Sequence, residues 1–547
     1  MSGGGRRRAF RSLAGNRALA RVLAAYVTFS LTENAVWIAM LVYAYGRGGT
    51  TAAGLVAVAQ LVPAAVVAPV AAGLADRRSP VVLLAGGYLV QTVAMAGTAV
   101  AIEAGVPLAA YAAAVVAATA VTATRPAQSA LIPSVAATPD QLTAANVVVG
   151  WLDAAGLAGA GLLAGVLISL TGVGSVFAVC AGLGLVAALL TGGLRVPALA
   201  VDQDADAVTA GIGAGLRLAA GQPRLRLMLA LVTADSVVVG ALDLLVVILA
   251  ITVLRHPAGW AGYLEFGFGV GAVLAATASA VLVGRRLGWP IMVAALVFSA
   301  ALATVASGPG TAGTVALLVL AGASHSLLNV AARTLLQRSV PPQLIGRIFG
   351  VLEGLVMAGL AVGALLVPAL AHLGGSRLAV LGVAAVLPLA ALAGGRAIFR
   401  LDSGIAVPVV EIALLRSLPL FAELPAPALE GLAAALEPVS LAAADVLIRQ
   451  GDPADAYYAI ASGELEAVQD GHQLGRFGRG EGVGEIALLH AVPRTATVLA
   501  CTAATVYRLD RDHFLTAVLG HAPTRRQATR IADTRLATDA TTVPDQQ

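Results

Sequence analysis

The stretch from Gly480 to Val498, GEGVGEIALLHAVPRTATV, combines glycines, acids and one arginine at spacings that suit a small anionic ligand. Gly482 and Gly484 allow the backbone to approach a ligand closely. The residues that follow them predict a short helix, and the first amide groups of a helix attract anions because they have no partner within it. Arg494 adds a guanidinium for a phosphate, and Glu485 can accept hydrogen bonds from a ribose hydroxyl.

The same residues resemble the phosphate-binding cassette of cyclic nucleotide-binding domains, in which a Gly-Glu-hydrophobic-Ala-Leu run is followed by Pro-Arg-x-Ala. The resemblance implies that Glu485 holds the ribose 2′-hydroxyl and that Arg494 holds the cyclic phosphate. The full set of residues that it assigns to the nucleotide is Gly484, Glu485, Ile486, Ala487, Arg494, Thr495 and Ala496. It implies no cofactor, only a regulatory ligand, cyclic AMP or cyclic GMP.

Thr495 bears on the choice between these two nucleotides. In the family that the cassette resembles, a hydroxyl at this position can reach the guanine amino group, but threonine also occurs in members that answer to cyclic AMP. We therefore expect both nucleotides to bind, with cyclic AMP favoured as the physiological ligand.

The resemblance extends over about residues 419–520, because Gly451-Asp452, Tyr458 and Gly463 also stand where such domains have them. It implies a β-roll with flanking helices. After His513 the chain has no room for a helix-turn-helix, and the domain is acidic, so we expect no nucleic acid partner. The sequence shows no nucleophile–base constellation and no metal-ligand spacing, so we expect neither catalytic residues nor a metal site.

The composition of the rest of the chain indicates a membrane protein. Of its 547 residues, 59% are hydrophobic and 12% are charged, which no soluble domain matches. Long apolar runs predict twelve transmembrane spans. They lie near residues 22–45, 50–74, 81–102, 107–131, 142–170, 173–194, 225–254, 259–283, 288–307, 311–332, 343–371 and 377–398.

The arginines give the orientation and the domain boundaries. They concentrate on alternate connections and on the N-terminal tail, which predicts that both termini are cytoplasmic, in the inner or plasma membrane of a cell. Residues 1–410 carry 23 arginines against 13 acids, and residues 411–547 carry 11 against 17. The predicted domains are a tail (1–21), a six-helix half (22–194), a central cytoplasmic loop (195–224), a second six-helix half (225–399), a linker (400–410), the nucleotide domain (411–537) and a polar tail (538–547).

Six spans, a longer loop and six more spans resemble the major facilitator superfamily. The segment AAGLADRRSP between spans 2 and 3 is similar to its cytoplasmic loop motif, which makes Asp76 and Arg77 a gating loop. The segments 125–146 and 333–350 look like equivalent connections in two related halves. The run GLAGAGLLAG from Gly156 in span 5 fits either close helix packing or the glycine-rich motif of exporters.

Ionisable residues inside spans are costly and therefore mark candidates for a transport pathway. We expect Glu33 and Asp235 to matter most, because spans 1 and 7 would be equivalent in the two halves. Asp153 and Glu353 could instead pair with cytoplasmic arginines. The candidates, with the neighbouring amide, are Glu33, Asn34, Asp153, Asp235, Asp243, Glu265, His325 and Glu353.

These features favour a secondary active transporter, an exporter of a small organic or lipophilic compound, regulated by cyclic AMP or cyclic GMP. The alternative is a receptor that kept the transporter fold and signals without net transport. A nucleotide-gated channel is disfavoured, because the sequence shows neither a pore loop nor voltage-sensor arginines. The expected partners are the nucleotide, membrane lipid and a small-molecule substrate, and a homodimer is a further possibility.

Overall fold

The computed structural model describes residues 16–77, 79–135, 139–194, 221–278, 286–340, 345–404, 409–422, 424, 426–519, 524–525 and 527–532. Most of the predicted N-terminal tail and central loop, and the whole tail 538–547, lie outside these ranges. Inside them, a bundle of long helices is followed by a small β domain with flanking helices, which confirms the predicted fold class.

Ten α-helices make up the described part of the bundle. Their backbone groups bond within each helix, as a chain surrounded by lipid requires. The helices are α1 (Arg17–Arg77), α2 (Pro80–Glu103), α3 (Pro107–Val135), α4 (Pro139–Thr171), α5 (Val173–Thr191), α6 (Pro223–Ile248, continued by a π-helix, Leu249–Val253), α7 (Trp260–Ala278), α8 (Gly288–Val305), α9 (Gly310–Ser339) and α10 (Ile345–Gly404).

Two of these helices each contain two spans. Helix α1 is broken at Gly48-Gly49 and helix α10 at Gly374-Gly375, where the second glycine of each pair has a positive φ, 63° and 72°. Only glycine adopts that conformation without strain. In the described residues, nine helices are long and apolar enough to cross a membrane, and two of the nine are double segments of 51 and 49 residues. With α7, each predicted span falls mainly on helix within the described residues.

The glycine-rich run of span 5 packs against span 8. A Cβ at Gly161 would lie 2.6 Å from the amide nitrogen of Phe266, and one at Gly262 would overlap the backbone of Gly165. Glycine is needed at both positions because the two backbones touch. The structure therefore gives this run the packing role; its comparison with the exporter motif stays an expectation.

Two further contacts join the two halves, and both lie at one end of the bundle. The hydroxyl groups of Tyr45 (span 1) and Thr252 (span 7) lie 2.8 Å apart. Thr51 of span 2 and His372 of span 11 are also 2.8 Å apart. These residues lie beside the connections 1–2, 7–8 and 11–12, so the two halves are held together at the end away from the predicted cytoplasmic side.

The exit from the bundle differs from the prediction. We predict a linker over 400–410, but α10 continues as helix through Gly404 and the next helix, α11 (Val409–Ser417), begins four residues later. The physical reason is that the end of an apolar run marks where a helix leaves the lipid, whereas helical hydrogen bonding can continue in water. Only residues 405–408 separate the two helices.

The C-terminal domain contains the helices α12 (Ala426–Ala434), α13 (Glu485–His490) and α14 (Arg511–Leu519) around a roll of eight strands. Two antiparallel four-stranded sheets have the orders β1-β8-β3-β6 and β2-β7-β4-β5. The strands are β1 (Glu437–Leu441), β2 (Val446–Ile448), β3 (Ala456–Ser462), β4 (Leu465–Gln469), β5 (His472–Phe477), β6 (Gly482–Val483), β7 (Thr497–Ala500) and β8 (Ala504–Asp510).

Strand β3 separates two apolar cores. Its side chains alternate, as those of any strand do. Tyr457 and Ala459 pack among the flanking helices, while Tyr458 and Ile460 pack inside the roll. The flanking-helix core also contains Leu488 of α13, so the strand connects the interior of the roll to the helices around it.

Candidate functional site

The cassette residues begin at a tight backbone junction between β6 and α13. Gly484 has φ 95° and is the last residue before the helix. A Cβ at this position would lie 2.6 Å from Nη1 of Arg494 and 3.1 Å from the carbonyl oxygen of Ala456. Glycine is therefore required both by the left-handed backbone and by the space that the arginine occupies. The predicted helix after Glu485 is present.

Arg494 is 4% exposed and donates three hydrogen bonds to described residues. Its Nη2 donates to the carbonyl oxygen of Ala456 at 2.6 Å and to Oδ1 of Asp455 at 2.9 Å, and its Nη1 donates to the carbonyl oxygen of Gly484 at 3.2 Å. Buried cations are stable in proteins only when they are paired and hydrogen-bonded. The guanidinium is thus held in one place at the edge of the cassette.

Asp455 is a residue of this site that the sequence reasoning missed. It accepts from Arg494 and also from Arg508, at 3.2 Å from its Oδ2, and Arg508 in turn reaches Glu437 at 3.4 Å. Partial burial raises the pKa of Asp455, but the hydrogen bonds from Arg508 and Arg494 outweigh it, and the pKa lies below its usual range. The sequence does offer one signal for Asp455. It lies three residues after Asp452, in the turn that the resemblance to nucleotide-binding domains already includes.

The cassette encloses a cavity of about 220 Å³. Glu485 is 2% exposed at its wall, and Ile448, Leu474 and Phe477 give it an apolar side. All seven residues that the resemblance assigns to the nucleotide line it: Gly484, Glu485, Ile486, Ala487, Arg494, Thr495 and Ala496. One cavity thus offers a fixed cation, a buried acid and an apolar wall, which suits a ligand with an anionic group, hydroxyls and a flat ring.

A second cavity, of about 300 Å³, lies in the bundle between its two halves. Of the candidate pathway residues, Glu33, Asn34, Asp243, Glu265 and His325 line it. Asp153, Asp235 and Glu353 are not among its described lining residues. The described residues that line this cavity come from nine predicted spans, 1, 2, 4, 5, 6, 7, 8, 10 and 11, so both halves contribute to it.

Most of the intramembrane acids have partners. Glu33 accepts from Nη2 of Arg125 at 2.6 Å, and Asp243 accepts from Nε1 of Trp37 at 2.9 Å. The other contacts are Asp235 with Nδ1 of His325 at 3.1 Å, Asp153 with the hydroxyl group of Tyr26 at 2.6 Å, Glu353 with Nη1 of Arg333 at 2.9 Å, and the Asn34 amide with the carbonyl oxygen of Ser30 at 2.9 Å.

The roles of these residues in transport stay predictions, although their contacts differ. Asp235 is 1% exposed, is paired with His325 and is not among the described residues that line the cavity. Glu353 has an arginine partner, as the structural alternative expected, whereas the described partner of Asp153 is a tyrosine hydroxyl. Arg125 and Trp37 are cavity residues that the sequence reasoning missed, because Arg125 had been counted only as an orientation signal.

The gating-loop residues can be followed only in part. Asp76 and Arg77 form the end of helix α1, and their side chains lie outside the described part of the chain. Their role as a gating loop therefore stays a prediction.

A membrane bundle of two similar halves around a central cavity, joined to a β-roll with a cassette pocket, defines a transporter-like membrane protein with a ligand-binding domain. Residues 22–364 match the family model of the Major Facilitator Superfamily, and residues 438–521 match that of the cyclic nucleotide-binding domain. Since the first match covers more than half of the chain, the chain belongs to the major facilitator superfamily. The resemblance seen in the sequence is confirmed for both parts.

Individual relatives match over short regions. An uncharacterized protein of Mycobacterium tuberculosis (strain H37Rv) is 44% identical over 90 residues, which are 16% of this chain and 18% of the relative. The cAMP-dependent protein kinase regulatory subunit of Emericella nidulans is 38% identical over 104 residues, 19% of this chain and 25% of the relative. The chain thus spans a quarter or less of the length of these relatives.

A similar solved structure is the regulatory domain of Toxoplasma gondii PKA crystallised with cAMP. It is 33% identical, with a TM-score of 0.21, and the match covers 22% of this chain and 47% of that one.

Proposed function

We propose that this protein is a secondary active transporter whose activity is regulated by a cyclic nucleotide bound to its C-terminal domain. Membership of the major facilitator superfamily supports transport. The observation that carries the regulatory part is that the seven cassette residues line one cavity, at which Arg494 is held by three protein acceptors. A guanidinium that is already positioned binds a phosphate without first losing conformational freedom.

The chemistry of the pocket matches a cyclic nucleotide group by group. The phosphate would accept from Arg494 and from the amide groups of the cassette, and a ribose hydroxyl would donate to Glu485. The base would lie against the apolar side, near Leu474 and Phe477. Cyclic AMP is the favoured ligand, since a relative that is 38% identical over 104 residues is named as the regulatory subunit of a cAMP-dependent protein kinase.

The connection between the two parts supports mechanical coupling. Helix α10 ends at Gly404 and α11 begins at Val409. The four intervening residues span at most roughly 14–18 Å when fully extended. A linker this short transmits a displacement of α11 to span 12, whereas a long flexible one would absorb it.

Helix α11 is packed into the nucleotide domain. Ile412 and Leu415 of α11 belong to the same buried core as Leu488 of the cassette helix α13 and Phe514 of α14. A ligand that moves α13 therefore acts on the helix that leads into the membrane. It shifts the transporter only by its differential affinity for the two states, and a tenfold preference corresponds to about 1.4 kcal/mol.

We propose export as the direction, in keeping with the resemblance of segments 125–146 and 333–350 to the connections of efflux-type members. The contacts that join the halves lie at the end away from the predicted cytoplasmic side. Importers and exporters both adopt a state that is closed at that end. The substrate would be a small organic or lipophilic compound, in keeping with a cavity of about 300 Å³ that is lined mostly by apolar side chains.

The direct test is flux through the full-length protein in proteoliposomes. A panel of small organic compounds would be loaded, and efflux or uptake measured with and without cyclic AMP and cyclic GMP. We expect at least one compound to be moved at a rate that the nucleotide changes. Nucleotide binding without flux of any compound would favour the receptor alternative, and flux that no nucleotide changes would refute the regulatory role.

A further inference from the structure

Two aromatic side chains meet where spans 9 and 12 reach the predicted cytoplasmic side. Trp289 is the second residue of α8, and Phe399 lies close to the end of α10. Their ring centroids are 5.2 Å apart, with the ring planes inclined at 63°. Trp289 is nevertheless 70% exposed. An exposed indole at the end of a span is typical of the headgroup level of a bilayer, because its ring is apolar and its N–H needs a polar partner.

The two helices are packed closely beside this aromatic pair. A Cβ at Gly395 would lie 3.3 Å from Cε of Met292. Met292 lies three residues after Trp289, and Gly395 lies four residues before Phe399, so the close approach is about one turn further into the bundle. The positions of the two rings relative to each other are therefore set by packing of α8 on α10.

Three exposed arginines surround the aromatic pair. Arg286 lies three residues before Trp289, and Arg396 and Arg400 lie on α10 on either side of Phe399 in the sequence. Side chains four residues apart on a helix are neighbours, so Arg396 and Arg400 share one face of α10. Arg286 and Arg396 form no ion pair with any residue that the structure describes. We call this set the arginine–aromatic surface: Arg286, Trp289, Arg396, Phe399 and Arg400.

Acidic residues are sparse around this surface. Helix α8 contains none, and α10 contains none between Glu353 and Asp402. The side chain of Asp402 lies outside the described part of the chain. The preference of arginine for the cytoplasmic side explains why basic residues end these spans. It does not explain why they converge from two spans on an exposed aromatic pair.

Apolar side chains continue the arginine–aromatic surface towards the middle of the membrane. On α10, Leu389 and Leu392 are 64% and 83% exposed, and they precede Arg396 at helical spacing. On α8, Val293 and Leu296 are 49% and 50% exposed and follow Trp289 at the same spacing. Each helix thus presents an apolar stripe that ends in basic and aromatic residues at the predicted cytoplasmic side.

We propose that the arginine–aromatic surface binds the headgroup of an anionic phospholipid. The guanidinium groups would donate to the phosphate, and Trp289 would lie at the level of the glycerol backbone. The acyl chains would follow the two apolar stripes. Basic sites between spans on the cytoplasmic side are suited to anionic headgroups, because that leaflet is negatively charged. A free phosphate ion could use the arginines but would gain nothing from the apolar stripes.

The test is fluorescence quenching of the full-length protein in bilayers, without nucleotide. The protein is reconstituted in phosphatidylcholine vesicles with increasing fractions of phosphatidylglycerol brominated on its acyl chains, or of phosphatidylcholine brominated in the same way. Bromine quenches an indole only at short range, so the quenching that is lost in Trp289→Phe reports on this surface. We expect phosphatidylglycerol to occupy it at least about fivefold more favourably, which is the effect of one arginine near an anionic membrane surface.

Three variants, each compared with its own Trp289→Phe form, complete the test. Arg396→Gln/Arg400→Gln should reduce the preference for phosphatidylglycerol at least about fivefold. Arg396→Lys/Arg400→Lys, which keeps both charges, should retain most of it and guards against a folding defect in the first variant. Arg377→Gln is the matched control, because Arg377 is exposed at the other end of the same span. It should behave as the wild type.

Equal quenching by the two brominated lipids would overturn the inference. So would a preference that survives in the glutamine variant, or one that the lysine variant loses as completely, since the charges would then not bind the lipid. Displacement of phosphatidylglycerol by millimolar inorganic phosphate would assign the arginines to a free anion instead. Neither flux nor nucleotide enters the measurement, so its outcome is independent of the proposed transport and regulation.

Discussion

A buried arginine in one cavity of this protein and a buried acid in the other differ in their described protein partners. In the nucleotide pocket, the buried Arg494 has three acceptors at hydrogen-bond distance, and Asp455 is itself shared with a second arginine. In the membrane cavity, the buried Glu265 has an oxygen with no partner in the described chain. In the first cavity, the arginine is already hydrogen-bonded to protein acceptors and can still bind one anion. In the second cavity, the acid has no described protein partner for its charge, so a ligand or a proton must supply one.

The difference follows from what each cavity must do. A regulatory pocket gains affinity when its cation is fixed before the ligand arrives, because little ordering remains to be done. A transport cavity must release its ligand after each passage.

The largest expected effect tests the completed network. Arg494→Ala removes the phosphate partner from a buried site, which costs about 2–5 kcal/mol when a hydrogen-bonded charge pair is truncated. We expect cyclic AMP binding, measured by calorimetry on the full-length protein, to weaken at least about thirtyfold. Flux without nucleotide should not change, since the residue lies in the C-terminal domain.

A matched control for Arg494→Ala is Arg479→Ala. Arg479 is an exposed residue in the loop before β6 and does not line the cavity. Its removal should leave the affinity for nucleotide within about threefold, as exposed charges contribute little. Equal affinity of the wild type and Arg494→Ala would remove Arg494 from the site.

How far the sequence predicts each cavity reflects how each is assembled. Half of the described lining of the nucleotide pocket could be predicted, because seven of its fourteen residues fall between Gly484 and Ala496 and short-range backbone chemistry positions them. Asp455 was missed because its bond to Arg494 connects residues far apart in the sequence. The pairing of β3 with β6 and β8, together with backbone hydrogen bonds between Arg494 and residues 451–452, brings that turn to the cassette.

The membrane cavity could be predicted only as a set of candidates. Hydropathy finds the spans, and an acid within a span stands out. Which face of a span meets the cavity depends on packing between helices, which is set by close approaches such as that of Gly161 to Phe266. For this reason Asp235 and Asp243, on one helix, separate into a supporting residue and a cavity residue.

The second expected effect is on the free energy of unfolding, through two ion pairs, one in each half of the bundle. Glu33–Arg125 is the more enclosed at the acid, whose side chain is 24% exposed, whereas that of Glu353 in Glu353–Arg333 is 52% exposed. We expect Glu33→Gln to lower the free energy of unfolding by about 1–3 kcal/mol, because Arg125 loses its partner inside the bundle.

The comparison with the second pair serves as the control. Glu353→Gln should cost about 0–1 kcal/mol, in the range of exposed pairs. The double variant Glu33→Gln/Arg125→Gln should recover part of the loss, as measured by thermal unfolding in detergent. Equal losses for Glu33→Gln and Glu353→Gln would show that the two pairs do not differ in the way their exposure indicates.

The third effect is on the connection between the two cavities. Insertion of a long Gly/Ser segment between Gly404 and Val409 gives the short connection slack, since such chains are flexible coils. We expect nucleotide binding and flux without nucleotide to persist, while the change in flux caused by nucleotide falls from its full value towards zero. If regulation survives the insertion at full strength, direct docking of the domain on the cytoplasmic loops must carry it.

The fourth effect is on selectivity within the pocket. Thr495 lines the cavity directly after Arg494. Loss of one neutral hydrogen bond costs about 0.5–1.5 kcal/mol. Thr495→Ala should therefore weaken cyclic GMP several-fold more than cyclic AMP in competition binding, while Thr495→Ser, which keeps the hydroxyl group, should preserve the ratio. A cyclic GMP to cyclic AMP ratio that Thr495→Ala leaves unchanged would exclude this residue from base selection.

The smallest effect is the contribution of Asp455 to stability in acid. The pKa of Asp455 is lowered in the folded domain, so its stabilisation is present above the unfolded pKa, about 3.9, and is lost as the pH falls through the folded value. The side chain is 59% exposed, and solvent therefore screens much of the interaction. Asp455→Asn should lower the melting temperature of the nucleotide domain slightly at pH 6 and converge with the wild type once the pH falls below the folded pKa of Asp455.

The matched control for this acid effect is Asp512→Asn, at an exposed position of α14. It should follow the wild type more closely, because Asp455 alone of the two bridges Arg494 and Arg508. A melting temperature difference between Asp455→Asn and the wild type that stays constant from pH 6 to below pH 3 would mean that the carboxylate charge is not what stabilises the fold. The side chain at position 455 would then stabilise the network through its shape and not through its charge. The contrast with the membrane cavity would rest on Arg494 alone.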